Sequence, residues 1–250
     1  MRYYLNEDVS LNREVIVLIT PQQINIIKSN ILVSQDIPLK DSVYEALRKT
    51  IIIGEIPAGE RINEKELAEK LNISRTPVRY ALLELEKEKL VEHIPRVGRI
   101  VKGITIKDAF EIYDIRKALD TLATVKAYDQ MTDEDFEELK QLLLTGEKYN
   151  DANEIDLVLQ NFSDFNNFIW EKSKMVRLKS IVTKLSEYLL YFRDLSIRSS
   201  DRRDLALKEH WLIYRGMKNR DKDQIELIIG EHLENSKQFI LNEMKRRNIN

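Results

Sequence analysis

Arg75 and Arg79 stand four residues apart in NISRTPVRYALLELEKEKL, residues 72–90, so a helix carries both on one face. Guanidinium groups on the first turns of a helix suit the DNA major groove, where such residues reach base edges. Thr76, between them, can reach a phosphate or a thymine methyl. Val78, Leu82 and Leu85 occupy the opposite face. Any surface helix needs a polar face, and two arginines alone mean little. Arg96 and Arg99, flanking Gly98, add a second basic patch, and Arg48 lies on an earlier helix where it could hold a phosphate. Residues 36–100 are nevertheless near charge balance, and ELEKEKLVE puts acid at the far end of the helix. Few contacts per subunit follow, so useful specificity calls for a homodimer.

A different chemistry is open to His210 and His232. They lie on successive helices, at similar distances from the break near 219–222, so an antiparallel hairpin brings them opposite each other. Two facing imidazoles suit a divalent metal such as zinc. The plainer reading of such a pair is ordinary core or surface histidine. Arg116, one turn from Ile112 and Leu119, is either a bidentate clamp for a ligand carboxylate or half of a salt bridge. Phe165, Phe168, Trp170, Tyr188, Tyr191, Phe192 and Trp211 crowd the same helices, mostly as core. His93 reads as a structural or DNA-proximal residue.

Several function classes drop out. The chain has 40 Lys and Arg against 42 Asp and Glu, so any nucleic-acid patch must be local. It has no cysteine, which excludes disulfides and thiol catalysis and fits a reducing compartment. The apolar run VIVLIT, residues 15–20, is too short to span a bilayer and lacks the flanks of a signal peptide. These features suit a soluble cytoplasmic protein with no membrane partner. A di-iron enzyme would need Glu-x-x-His pairs, and the residues three before His93, His210 and His232 are Leu90, Leu207 and Ile229. There is no P-loop, no Rossmann fingerprint and no Gly-x-Ser-x-Gly. A metal-dependent enzyme on the helical bundle and a winged helix that binds protein are the rival readings.

The elements that would position these residues follow from pattern. Residues 1–35 form an extension with three apolar patches, 15–19, 24–27 and 31–33, broken by Pro21 and by polar residues. Such a segment is either a mobile arm or docks on the body or a second subunit. From Pro38, Val43, Ala46, Leu47, Thr50 and Ile51 recur at helical spacing until GEIPAGERI, residues 54–62, stops the helix. Asn63 with Glu66 reads as a capping box, and Leu67, Ala68 and Leu71 face inward. Asn72 makes the turn and Ser74 caps the arginine helix, with Pro77 tolerated in its first turn. VEHI and RIVKG around PRVG read as a two-stranded ribbon. This predicts a winged helix-turn-helix over 36–103. Residues 104–250 predict a mainly α domain, an antiparallel bundle of six or seven helices. Helices are expected near 107–129, 132–149, 154–172, 175–199, 201–219 and 221–247, with Thr132 and Asp201 as N-caps.

LRKTIIIGEIPAGERINEKELAEKLNISRTPVRYALLELEKEKLVEHIPRVGRIV, with SRTPVR after LAEKL, resembles the winged helix of the GntR family of bacterial transcription regulators. YDIRKALD, residues 113–120, resembles the opening of the all-helical sensor domain of the FadR-type branch. The resemblance implies a ligand-responsive regulator, expected to be a repressor. It implies that Arg48, Arg75, Thr76, Arg79 and the wing around Gly98 contact a double-stranded operator. It also implies a small organic acid as effector. Tyr80 departs from the glutamate usual in the family. FadR-type sensors often hold a divalent metal with an Asp-x-x-x-His pair and two later histidines, which His210 and His232 resemble. Here Phe162 and Asn166 stand where the first pair should be, leaving His210, His232 and Asn166 for a weakly held metal or none. Without metal, Arg116, Asn166, His210 and His232 could bind the effector directly.

Overall fold

The computed structural model describes residues 19–31 and 37–249. The chain divides into two compact units, with the boundary between Gly103 and Ile104. The first holds α1 (Pro21–Asn30), α2 (Leu39–Ile52), β1 (Arg61–Ile62), α3 (Glu64–Leu71), α4 (Arg75–Lys87), β2 (Val91–Ile94) and β3 (Gly98–Val101). Its core forms where α2 packs on α4, burying Val43, Leu47 and Ile51 together with Val78, Leu82 and Leu85. At the start of α3 the Asn63 side chain accepts from the amides of Lys65 and Glu66. The reciprocal half of the expected capping box is absent, because Glu66 pairs with Lys70 at 2.6 Å. Asn72 ends α3 in the left-handed region, φ 59°, which asparagine tolerates. The ribbon has three strands, not two. The order is β1-β3-β2, all antiparallel, with Ile62 opposite Arg99. A two-residue strand has too little alternation to show in sequence.

Pro21 begins a helix where a break was expected. Its fixed φ suits the first helical position, and Thr20 and Gln23 form a capping box ahead of it. Ile24 and Ile27 are buried, and α1 packs on α2 and α3. Gln23 Nε2 donates to the Glu55 carbonyl at 2.9 Å and to Glu60 Oε1 at 2.8 Å. Of the two readings of the extension, this part docks on its own unit. The apolar residues at 15–18 and 32–33 lie outside the described residues.

The second unit holds α5 (Ile106–Gln130), α6 (Asp133–Asp151), α7 (Ile155–Lys172), α8 (Val176–Ile197), α9 (Ser200–Asn219) and α10 (Lys222–Arg246). Capping boxes of Thr105 with Asp108 and Thr132 with Asp135 start α5 and α6. Asp201 does not cap α9. Ser199 holds the N-cap position, and Asp201 lies in the first turn, where a carboxylate favours the helix dipole. α10 packs on α5, α8 and α9, and α7 on α5, α6 and α8. The interior is not purely apolar. Arg116, Asp120 and Thr124 form a buried stripe along α5, and Arg202, Glu209, His210 and His232 are buried on α9 and α10.

Candidate nucleic-acid interface and sensor interior

Arg75 and Arg79 project from the first turns of α4, each with 56% of its side chain exposed. Thr76 beside them is exposed. Both arginines converge on Glu64, the first residue of α3, at 3.0 and 2.9 Å. Arg99 of β3 reaches the same carboxylate at 3.4 Å and Glu86 at 2.5 Å. Hydrogen bonds from Arg79 and Arg75 hold the Glu64 carboxyl below its ordinary range, against burial, which acts the other way. One carboxylate thus gathers arginines from a helix and a strand into one basic face. Sequence reasoning missed Glu64, which reads as an ordinary first-turn acid. Its partners lie 11 to 35 residues away, beyond any local spacing rule.

The wing tip places Arg96 exposed at a left-handed φ of 68°. Gly98 has φ 113°, a conformation that favours glycine, and a Cβ there would stand 3.2 Å from the end of the flexible Arg61 side chain. His93 is exposed on β2. Arg48 sits differently from the others. It is 4% exposed, and its Nε donates to Glu88 at 2.9 Å, a carboxylate that also accepts from the Tyr44 hydroxyl. Arg48 therefore braces α2 against the end of α4, and a phosphate contact would require opening a buried pair. Tyr80 lies under the Lys40 ammonium, 4.7 Å from ring centroid to nitrogen.

In the second unit His210 and His232 do come together, with ring centroids 5.1 Å apart. Aromatic rings enclose His210: Phe165 stacks on it at 4.3 Å and Phe162 meets it edge-on at 4.8 Å. Burial, and then the positive neighbours, push its pKa well below the usual value, so it is neutral at physiological pH. His232 Nδ1 lies 2.7 Å from Glu209 Oε2. Glu209 also accepts from Asn235 at 2.7 Å and pairs with Arg202 at 3.4 Å. Burial pushes the Glu209 carboxyl up, but these partners outweigh it and hold it low. The carboxylate is thus the acceptor and His232 Nδ1 the donor. Arg116 Nη2 pairs with Asp120 at 2.9 Å, and Trp170 Nε1 donates to the same carboxylate at 2.8 Å. Asn166 Nδ2 donates to the Phe162 carbonyl of its own helix at 2.9 Å. The free space where Asn166, Phe165 and His232 meet is about 20 Å³, enough for about one water.

A winged helix with one basic face, followed by a helical unit with a charged interior, defines a DNA-binding regulator with a sensing unit. Residues 39–101 match the bacterial regulatory proteins of the gntR family, and residues 111–235 match the FCD domain. The chain belongs to the GntR family of transcription regulators, in its FCD-containing branch. It is 31% identical over 169 residues to the uncharacterized HTH-type transcriptional regulator YdhC of Bacillus subtilis, spanning 67% of this chain and 75% of that one. It is 36% identical over 114 residues to the gluconate operon transcriptional repressor of Bacillus subtilis, spanning 44% and 46% of the two chains. The solved structure of Escherichia coli McbR shares the fold, with a TM-score of 0.59 and 24% identity over 84% of this chain and 99% of that one.

The divalent metal implied by the family finds a poor shell here. Phe162 offers no donor, and phenyl rings stack on and abut His210. The Asn166 amide nitrogen donates to its own helix, and an amide oxygen is a weak ligand. Among the described residues, no three or more His, Asp or Glu stand close enough to share an ion. His210, His232 and Asn166 do not fit the metal.

Proposed function

We propose that this regulator is a homodimeric repressor acting in the cytoplasm. It binds a double-stranded operator through Arg75, Thr76 and Arg79 in the major groove and through Arg96, Gly98 and Arg99 of the wing. A small organic acid bound in the helical unit changes operator affinity. The observation that carries the reading is the convergence of Arg75, Arg79 and Arg99 on Glu64. It presents guanidinium groups from the recognition helix and the wing as one surface, the arrangement that base and phosphate contact needs. Arg48 supports this surface from behind, through its pair with Glu88. Repression is supported by the gluconate operon repressor among the relatives. No helix among the described residues is long and apolar enough to cross a membrane.

The test starts by selecting a duplex from random DNA with the full chain. Affinities of wild type and Arg79→Ala for that duplex are then measured at matched salt. We expect the substitution to weaken binding roughly tenfold or more and to relax preference at one base position. Unchanged affinity in the variant would remove α4 as the recognition element. Wild-type binding should also fall with salt by a slope of about 0.9 per phosphate contact, which a protein-binding winged helix would not show.

A further inference from the structure

α7 and α8 enclose a cleft with about 120 Å³ of free volume, against about 20 Å³ beside His232. Its walls include Ser163, Asn166, Trp170, Ser186, Leu190 and Arg193. The helical unit brings Arg116 and Arg202 each close enough to Arg193 to act on its charge. Asp120 neutralises Arg116, and Glu209 neutralises Arg202. Arg193 is the exception. Its Nη2 donates to the neutral Ser163 hydroxyl at 2.6 Å, and its Nε is buried without a hydrogen-bond acceptor. Among the described residues it has no ion-pair partner. Burial and the charges of Arg116 and Arg202 push its pKa down to about 10, which leaves it a cation at neutral pH. Ser186 Oγ, on the same cleft, is a second buried polar atom with no partner.

Arg193 is half-buried, and although the Asp194 charge is felt there it forms no ion pair, so the cation is left poorly compensated and its buried Nε unbonded. A carboxylate in the cleft answers both, because its two oxygens can accept from Arg193 Nε and Ser186 Oγ together. Trp170 and Leu190 offer apolar surface to a short carbon chain. Glu187, exposed on the same cleft, adds a negative charge that disfavours a second carboxylate. Arg116 cannot serve as the clamp while Asp120 holds it.

We propose that the effector site of the helical unit is this α7–α8 cleft, where Arg193 and Ser186 hold a small monocarboxylate directly, with no metal between them. The assignment rests on the reading that the helical unit senses an acid. It moves that site away from the two histidines, whose surroundings have no room for an acid.

The experiment uses the full chain carrying Trp211→Phe, so that Trp170 is the sole tryptophan, after treatment with chelator. Butyrate and 3-hydroxybutyrate are titrated against its fluorescence, with neutral butyramide as control. Both acids should give a saturable change, and butyramide should not. Arg193→Gln should weaken the acids about tenfold or more, and Ser186→Ala about threefold or more. If Arg193→Gln fails to fold by circular dichroism, Ser186→Ala and the acid-amide comparison still decide. An equal response to butyramide overturns the proposal. So does no response to either acid at about 50 mM, the weakest affinity worth calling a site. A response that appears only when zinc is restored overturns it too. The same samples are tested for DNA binding without ligand. DNA binding with no acid response defeats the cleft alone, whereas loss of DNA binding defeats the regulator reading whatever the acids do.

Discussion

Glu64 and Glu209 each gather partners from distant positions. Glu64 collects three cations that would otherwise repel, Arg75, Arg79 and Arg99, and Glu209 holds Arg202 and accepts from the His232 ring. Glu64 does so on the face proposed to meet DNA, and on that reading it stands where DNA charge would arrive. Glu64→Gln removes the charge and keeps the size. Pairs this exposed are individually weak, so the expected change is modest. Affinity for a scrambled duplex should rise about threefold or more. Affinity for the selected operator should rise less, because the arginines lose their fixed rotamers. Fluorescence anisotropy on both duplexes at two salt concentrations measures it. A fall in affinity for both would mean that Glu64 only holds the fold. At this scale sequence reading found the cations and missed the anions. A run such as SRTPVR announces its own helix face, but a carboxylate 15 residues away does not announce its partner.

At the scale of elements, α1 shows what capping chemistry adds to periodicity. Pro21 was expected to break the chain, yet Thr20, Pro21 and Gln23 together make a start signal. Ile27 is fully buried where α1 rests on the winged helix. Ile27→Ala should destabilise the first unit by about 2–5 kcal/mol if α1 is integral to it. Urea denaturation followed by circular dichroism reads the midpoint. A shift under about 0.5 kcal/mol, the scale of an ordinary surface substitution, would mean that α1 detaches at little cost. The six helices of the second unit were legible because each break carries turn residues, and side-chain caps at Thr105, Thr132 and Asp221 start three of them. α5 was legible as a helix but not in its role. Its inward stripe of Arg116, Asp120 and Thr124 is charged, so no apolar periodicity marks that face.

For the molecule as a whole, regulation requires that the acid bind the DNA-competent and DNA-free states with different affinities. Linkage makes that coupling reciprocal. Whatever factor saturating butyrate takes from operator affinity, saturating operator must take from butyrate affinity. Titrating butyrate into the protein with and without the selected duplex, followed through Trp170, checks this. Unequal factors would mean only that one of the titrations had not reached equilibrium, because the cycle closes for any mechanism. No coupling in either direction would mean that the cleft is not an effector site even if it binds acid.

The sequence by itself determined the winged helix, the order and approximate ends of the six later helices, and the shared helix face of Arg75 and Arg79. Local rules suffice there, since helix period, caps and turn residues act within a few positions of one another. It also marked Phe162 and Asn166 as departures from a metal shell. Only the tertiary structure decided which charges are neutralised. Arg48 is spent on Glu88 and Arg116 on Asp120, while Arg193, which nothing in its neighbourhood singles out, is left without a carboxylate. The reason is physical. In a low-dielectric interior the worth of a charge depends on what lies within a few ångströms in space, and packing brings those neighbours from distant parts of the chain.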